Sequence, residues 1–361
     1  MYKKINIKNF KCFKELTVED LGRINLIVGK NNIGKTSLLE ALFIHAGAYN
    51  PELTIRINLF RGLDIFFREK IPWDNLFLNF QFDDEINISG TFQEDNKIIE
   101  RSIKINQIMN KGDRIAFANN YAQQLKLLNI PPEKQLEDIP ILEFKTIEDS
   151  ELFSQYIFFI GNNLHQLPPI SKPVPFVTIL IPSARNVSRE EISDRFSRLI
   201  QKQKKDIMVN ALKIIEPRLK DLFILTTGGI PILHGDIGLS QPIPLSLIGG
   251  GITNILIIFL SIMNAGHGVV LIDEIENGIH FSVLKNLWEV IVKLSDELDV
   301  QIFATTHSNE CILAAHRFFL ETSYKEFKLH RLEYFEDNIM AITYNSDSIE
   351  STFELGLEIR E

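Results

Sequence analysis

Ile24-Asn25-Leu26-Ile27-Val28-Gly29-Lys30-Asn31-Asn32-Ile33-Gly34-Lys35-Thr36 passes from a hydrophobic run straight into a loop bounded by two glycines. Beyond Thr36, Ser37 is followed by Leu38, Leu39, Leu42 and Phe43, the apolar stripe of a helix. The order is therefore strand, glycine loop, helix, and the loop fits G-x-x-x-x-G-K-T. Each position has a physical use. Gly29 and Gly34 allow tight backbone turns and bring amides close to phosphate oxygens, with Asn31 and Asn32 inside the loop and Ser37 just beyond it. Those amides and the helix start favour an anion. Lys35 is placed to reach β- and γ-phosphates, and the Thr36 hydroxyl to meet Mg²⁺. An ordinary turn would have no need of Lys35-Thr36 here.

A second run, Val269-Val270-Leu271-Ile272-Asp273-Glu274, ends four apolar residues on two carboxylates. A buried strand would deliver Asp273 to the metal and leave Glu274 to orient or deprotonate water. A third strand end, Gln301 to Ser308, brings His307, which could sense a γ-phosphate or position water. His280 is a weaker candidate, suited to shaping the loop beyond Glu274 or meeting a partner.

Between these landmarks the pattern is uneven. Ile5 and Ile7 alternate with polar residues as on a half-buried strand, and Ile86–Phe92 and Ile98–Ile105 read as strands. The span from Ile192 to Leu225 reads as mostly helical, with a break near Pro217. Ile255–Met263 suits a buried helix, the leucine-rich 284–298 segment a one-sided helix, and Val300–Ala304 another buried strand. Hydrophobic strands alternating with helices imply an α/β fold with a largely parallel sheet covered on both faces. The division expected is a core from residues 1–50 and 230–361, with 51–229 as an inserted or accessory lobe.

The 361 residues are 45% hydrophobic and 24% charged, which suits a packed core rather than a disordered chain. Two cysteines, Cys12 and Cys311, lie far apart and argue against a disulfide framework or a cysteine metal site. The N-terminal residues lack a signal peptide's apolar run, and Ile255–Met263 is too short for a bilayer. A cytoplasmic protein with no membrane partner is expected.

The net charge of −9 disfavours a wholly basic surface but permits a local DNA groove. Two basic sets qualify: Lys3, Lys4, Lys8, Lys11 and Lys14, and Arg185, Arg189, Arg195, Arg198, Lys202, Lys204 and Lys205. Acidic residues interrupt the second, so a solvated charged face is the plainer reading of both. Asn110-Lys111-Gly112-Asp113 matches a guanine-recognition pattern, but it precedes the acidic strand instead of following it. A solvated turn is expected there, and ATP over GTP.

Together, Ile7–Phe13, Gly29–Thr36, Leu271–His280 and Thr306-His307-Ser308 resemble, in content and order, the ABC-type ATPases of the AAA15/AAA21 and OLD-like group. That group is related in ATPase architecture to SMC and Rad50 heads. The resemblance implies an ABC-type P-loop ATPase head with a mixed, largely parallel core sheet, binding ATP and Mg²⁺. It further implies that Pro244–Gly251 is a signature segment, with Ser246, Gly249 and Gly251 facing ATP held by a second subunit in a homodimer. Asn254 stands where many relatives carry a basic residue, and Gln81 and Gln93 are only candidates for a Q-loop glutamine. About 50 residues beyond His307 leave no room for a fused nuclease. The resemblance thus suggests an ATPase subunit of a DNA-processing or anti-phage assembly, with any nuclease or toxin effector separate.

Overall fold

The computed structural model describes residues 1–62, 73–94, 97–128, 139–170, 172–183, 187–249 and 251–344. The chain opens with the hairpin β1 (Tyr2–Phe10) and β2 (Phe13–Val18), then β3 (Ile24–Gly29), α1 (Lys35–Ala46) and α2 (Leu53–Phe60). An antiparallel run follows: β4 (Ile86–Glu94), β5 (Lys97–Gln107), short helices α3 (Lys111–Asn120) and α4 (Ala122–Leu127), β6 (Ile141–Glu148), β7 (Glu151–Ile160) and β8 (Asn163–Leu167). Next come β9 (Thr178–Ile181), α5 (Arg189–Gln201), α6 (Lys205–Ile215), β10 (Asp221–Thr227), β11 (Ile230–Asp236) and β12 (Ile243–Pro244). The last part holds α7 (Ile252–Ala265), β13 (Val269–Ile272), α8 (Leu284–Leu298), β14 (Gln301–Thr305), α9 (Asn309–Thr322), β15 (Phe327–Phe335) and β16 (Asn338–Tyr344).

The core sheet has the order β16-β15-β3-β14-β13-β9, parallel except for the β15–β16 hairpin. Its central strands β3, β13 and β14 are buried throughout and mostly apolar because both sides are covered. Ile24, Leu26, Val28, Val270, Ile272, Ile302 and Ala304 face a cluster built with α5 to α9. Ile27, Val269, Leu271 and Phe303 face the opposite way, toward α1 and a second sheet. That second sheet has seven antiparallel strands, β2-β1-β4-β5-β6-β7-β8. The mixed, largely parallel α/β head expected from the sequence is what forms.

The chain between 51 and 229 enters both layers. Its β4 pairs with β1, and its β9 is an edge strand of the core sheet, in parallel register with β13 (Val269 with Thr178, Ile272 with Ile181). The expected helical span from Ile192 to Leu225 stops short. Helix α6 ends at Ile215, before Pro217, and Asp221–Thr227 is instead strand β10, paired antiparallel with β11. A proline cannot donate to a continuing helix, and Leu222 and Ile224 then alternate with the exposed Phe223 and Leu225, a period of two. Among the described residues no helix is long and apolar enough to cross a membrane. The greasy segment is α7, buried along most of its length against the core sheet.

Candidate functional site

The parallel sheet places β14 between β3 and β13. The ends of all three therefore converge, because parallel strands deliver their C-terminal loops to one edge. At that edge the Thr36 hydroxyl, in the first turn of α1, donates to Asp273 at 3.0 Å to Oδ1 and 3.2 Å to Oδ2. Thr305, last in β14, donates from Oγ1 to Asp273 Oδ1 at 2.8 Å, while Ser183 donates to Oδ2 at 3.1 Å. The Asp273 amide donates to the Ile181 carbonyl at 2.9 Å. The carboxylate is thus oriented by three hydroxyls from three parts of the chain, and it is 7% exposed.

The loop between β3 and α1 takes left-handed backbone angles at Gly29 (φ 141°), Asn32 (φ 60°) and Gly34 (φ 98°). Gly34 also has no room for a side chain: a Cβ would lie 2.6 Å from Cys12 Sγ and 2.7 Å from the Phe13 ring. The buried Lys35 ammonium donates to the carbonyls of Gly29 at 2.7 Å and Lys30 at 2.8 Å, spanning the loop.

Glu274 takes a left-handed conformation (φ 53°), and its amide donates to Thr305 Oγ1 at 2.8 Å. This turn leaves its carboxylate 3.7 Å from His307 Nε2. Burial, helped by the nearby Lys35 charge, holds the His307 imidazole below its usual pKa against the opposing pull of Glu274, Glu276 and Asp273. The imidazole is therefore biased toward the neutral form. Glu276 anchors the same loop, accepting the amides of His307 at 2.8 Å and Ser308 at 3.1 Å.

A cavity of about 1090 Å³ opens here, lined by Asn31, Asn32, Gly34, Lys35, Thr36, Ser37, Glu274, Glu276, Asn277 and His307 together with a wall from Lys11 to Phe80. Part of that wall belongs to an ion cluster in which Lys11 and Glu40 are buried and Arg61 reaches solvent. Glu40 of α1 accepts from Lys11 Nζ at 2.6 Å and from Arg61 Nε at 2.6 Å, so two cations share one carboxylate. Burial lowers the Lys11 pKa from its ordinary value.

Ser246, Gly249 and Gly251 do not line this cavity. Gly251 sits at the start of α7 against Gly278 and Ile279, and a Cβ there would meet the Gly278 carbonyl at 2.8 Å. Asn254 Nδ2 donates to the Asn277 carbonyl at 2.8 Å, tying α7 to the loop that follows Glu274. Gly250 and Arg185 lie outside the described residues. Gln81 and Gln93 are not among the cavity-lining residues, and His280 is exposed, bonded to Ser282. Asn110 of the guanine-like motif caps α3, accepting from the Asp113 amide at 2.7 Å, which explains an Asn and an Asp three apart without any ligand.

Sequence reasoning missed Ser183, Glu276, Glu40 and Arg61 as site residues. Glu276 alone left a trace, as a second acidic residue two positions past Glu274. The other three sit in segments whose period gives no sign of the site.

A phosphate loop, an acidic strand end and an intervening strand on one edge of a mixed sheet define a P-loop ATPase head. The family model that matches residues 24–313 is AAA_21, described as "AAA domain, putative AbiEii toxin, Type IV TA system", and the chain belongs to this family. An ATP/GTP phosphatase of Helicobacter pylori is 27% identical over 376 residues, spanning 98% of both chains. The DNA replication and repair protein RecF of Bacillus cytotoxicus is 23% identical over 240 residues, 64% of this chain and 56% of that protein. Among solved structures, the head of an Smc protein bound to the C-winged helix domain of ScpA superposes with a TM-score of 0.51. It shares 12% identity and covers 98% of this chain and 99% of its own, a likeness of fold.

Proposed function

We propose that the chain hydrolyses ATP with Mg²⁺ and uses the cycle to close and reopen a pair of heads. The observation that carries this is the Thr36–Asp273 contact at 3.0 Å, with Thr36, Lys35 and Glu274 lining one cavity. Hydroxyl and carboxylate oxygens are the donors Mg²⁺ prefers, and it normally takes only one or two protein ligands with phosphate oxygens completing its shell. Thr36 and Asp273 would hold the ion, which when bound neutralises charge on the β- and γ-phosphates. Lys35 would turn from the Gly29 and Lys30 carbonyls to those phosphates. The loop from Gly29 to Ser37, including Asn31, Asn32 and Gly34, would present amides to them. Glu274 would orient water and take its proton, and His307 would stand by the γ-phosphate.

The signature segment, with Ser246, Gly249 and Gly251, would act on the nucleotide of a second copy, since within one chain it lies outside the cavity. A separate nuclease or toxin effector would read the head movement. The match to a family described by a toxin–antitoxin system and the similarity to RecF support a role in defence or DNA processing. The basic sets give DNA contact less support, because acids meet many of their members: Lys4 with Glu19, Lys8 with Glu15, Arg195 with Glu191, Arg198 with Asp194 and Lys205 with Asp221.

Phosphate release tests the chemistry. The wild type should turn over ATP with Mg²⁺, and Lys35→Ala should abolish it. Mass measurement with Glu274→Gln, which should trap ATP, tests the pairing: a dimer is expected with ATP and a monomer without. A strictly monomeric, ATP-loaded E274Q protein would overturn the paired heads. Salt-dependent DNA binding that is lost on changing Arg189 and Arg195 would add DNA as a ligand; no binding at any salt concentration would remove it.

A further inference from the structure

Phe80 is a large apolar side chain that is 63% exposed, and it stands on the wall of the phosphate cavity. Its backbone is left-handed (φ 60°), as is that of Asn79 before it (φ 53°). Two successive non-glycine residues in this region are costly, and for a phenylalanine the conformation is an outlier that surrounding structure must enforce. Here it does. Leu76 and Phe77 are buried, Phe77 packs edge-on against Phe82 at 5.0 Å, and the Lys11 amide donates to the Leu76 carbonyl at 2.8 Å. An isolated bridge joins Phe10 to Phe77. The Phe80 amide donates to the Phe77 carbonyl at 3.1 Å and that of Gln81 to Leu78 at 3.1 Å, closing the turn under the ring. A strained turn is thus pinned to the end of β1, and its phenylalanine side chain is left exposed on the cavity wall.

The rest of the cavity wall comprises the phosphate loop, Lys11, Cys12, Arg61, three further asparagines, Phe77, Glu274, Glu276 and His307, and of the cavity's two phenylalanines Phe77 is buried. At about 1090 Å³ the space takes a whole nucleoside triphosphate. If phosphates occupy the loop, the base must rest on another wall, and Phe80 is the exposed aromatic one. We propose that Phe80 is the nucleobase platform of this site, stacking the ring of a purine nucleoside triphosphate. This rests on the phosphate-site reading above. A stack recognises the π-face that all bases share, so the platform accepts ATP and GTP alike.

Equilibrium binding of ATP, GTP and inorganic tripolyphosphate, each with Mg²⁺, to the full chain tests the assignment. Phe80→Ala should weaken ATP and GTP by about five- to a hundredfold, the range that loss of one base–aromatic stack produces, and leave tripolyphosphate unchanged. Phe80→Trp should keep wild-type affinity for both nucleotides. Unchanged ATP affinity in F80A would overturn the platform, as would an equal loss for tripolyphosphate. Lys35→Ala should weaken all three ligands. If it weakens none, the phosphate-site reading itself fails, whatever F80A shows, so the two failures are told apart.

Discussion

The Thr36 hydroxyl lies 3.0 Å from Asp273 Oδ1 although 237 positions separate the two residues. Strand β14 makes the contact possible: it pairs with β3 on one side and β13 on the other, and its Thr305 bonds the same oxygen of Asp273. Asp273→Asn keeps the side-chain shape but removes the charge. Mg²⁺-dependent phosphate release should fall on the order of 100-fold or more, the scale on which one preorganised electrostatic contact acts. Thr36→Val should fall in the same direction, with part of the loss recovered by excess Mg²⁺. Magnesium-independent turnover in either variant would break the link between this pair and the metal.

Glu274 and His307 face each other at 3.7 Å, so they should act on one step. Glu274→Gln should lose about 10²- to 10⁴-fold in turnover, as general-base contributions do, while ATP binding survives. His307→Ala should lose less. If the two serve the same water or γ-phosphate, as proposed, the double variant should be less impaired than the product of the single losses. Single-turnover phosphate release measures all three. Fully multiplicative losses would mean that the two groups work independently.

The parts of this site that were legible in the sequence are those where one short buried strand delivers its residues to one edge. Val269–Ile272 is apolar throughout, and Ile24–Val28 apart from the buried, hydrogen-bonded Asn25, because helices or a second sheet cover both faces, and such runs stand out without any knowledge of their partners. The seven-stranded sheet was not legible as a unit. Its β1 and β4 pair through Ile7 with Ile88, a contact set by register across distant segments, and no local period announces which strand lies beside which. Ser183, Glu40 and Arg61 were hidden for the same reason, since each acquires a role only from a residue far along the chain. Phe80 was hidden by its chemistry: an aromatic in a loop has no sequence mark that separates a platform from a core residue.

Two histidines should make stability depend on acid pH. His45 is fully buried between the Tyr2 hydroxyl (2.7 Å) and the Arg101 carbonyl (3.2 Å), and burial, with the Arg101 charge, lowers its pKa to about 3. Burial does the same for His330, again to about 3. Both are neutral in the folded chain but take up protons in the unfolded chain below about 6.5. The unfolded state therefore binds more protons, so stability is complete above about pH 6.5 and declines as pH falls from there toward 3. The slope is about 1.4 kcal/mol per pH unit for each histidine. Urea midpoints between pH 7 and pH 5 should fall accordingly, and His330→Asn should flatten the dependence. An unchanged slope in H330N would remove His330 from this account.

Arg101 tests how the two layers are joined. Its guanidinium is 1% exposed, donates from Nε to Glu148 Oε2 at 2.6 Å and from Nη1 to the His45 carbonyl at 3.2 Å, and lies 4.7 Å from the Phe92 ring centroid. One side chain thus links β5, β6 and the end of the helix that carries the phosphate loop. Burial alone would raise the Glu148 pKa, but the Arg101 charge and hydrogen bonds outweigh it and hold the carboxyl below its usual range. Arg101→Ala leaves that carboxylate with only the longer Lys172 contact at 3.7 Å in a partly dry site and should cost about 3 kcal/mol, the lower end for breaking buried pairs. The loss is mostly the under-paired charge rather than the missing attraction. Replacing both partners with apolar residues, as in R101M/E148L, should therefore recover much of it. Chemical denaturation of the three proteins separates the two contributions: a double variant as unstable as R101A would show that the cost is lost packing under Phe92, not an under-paired carboxylate.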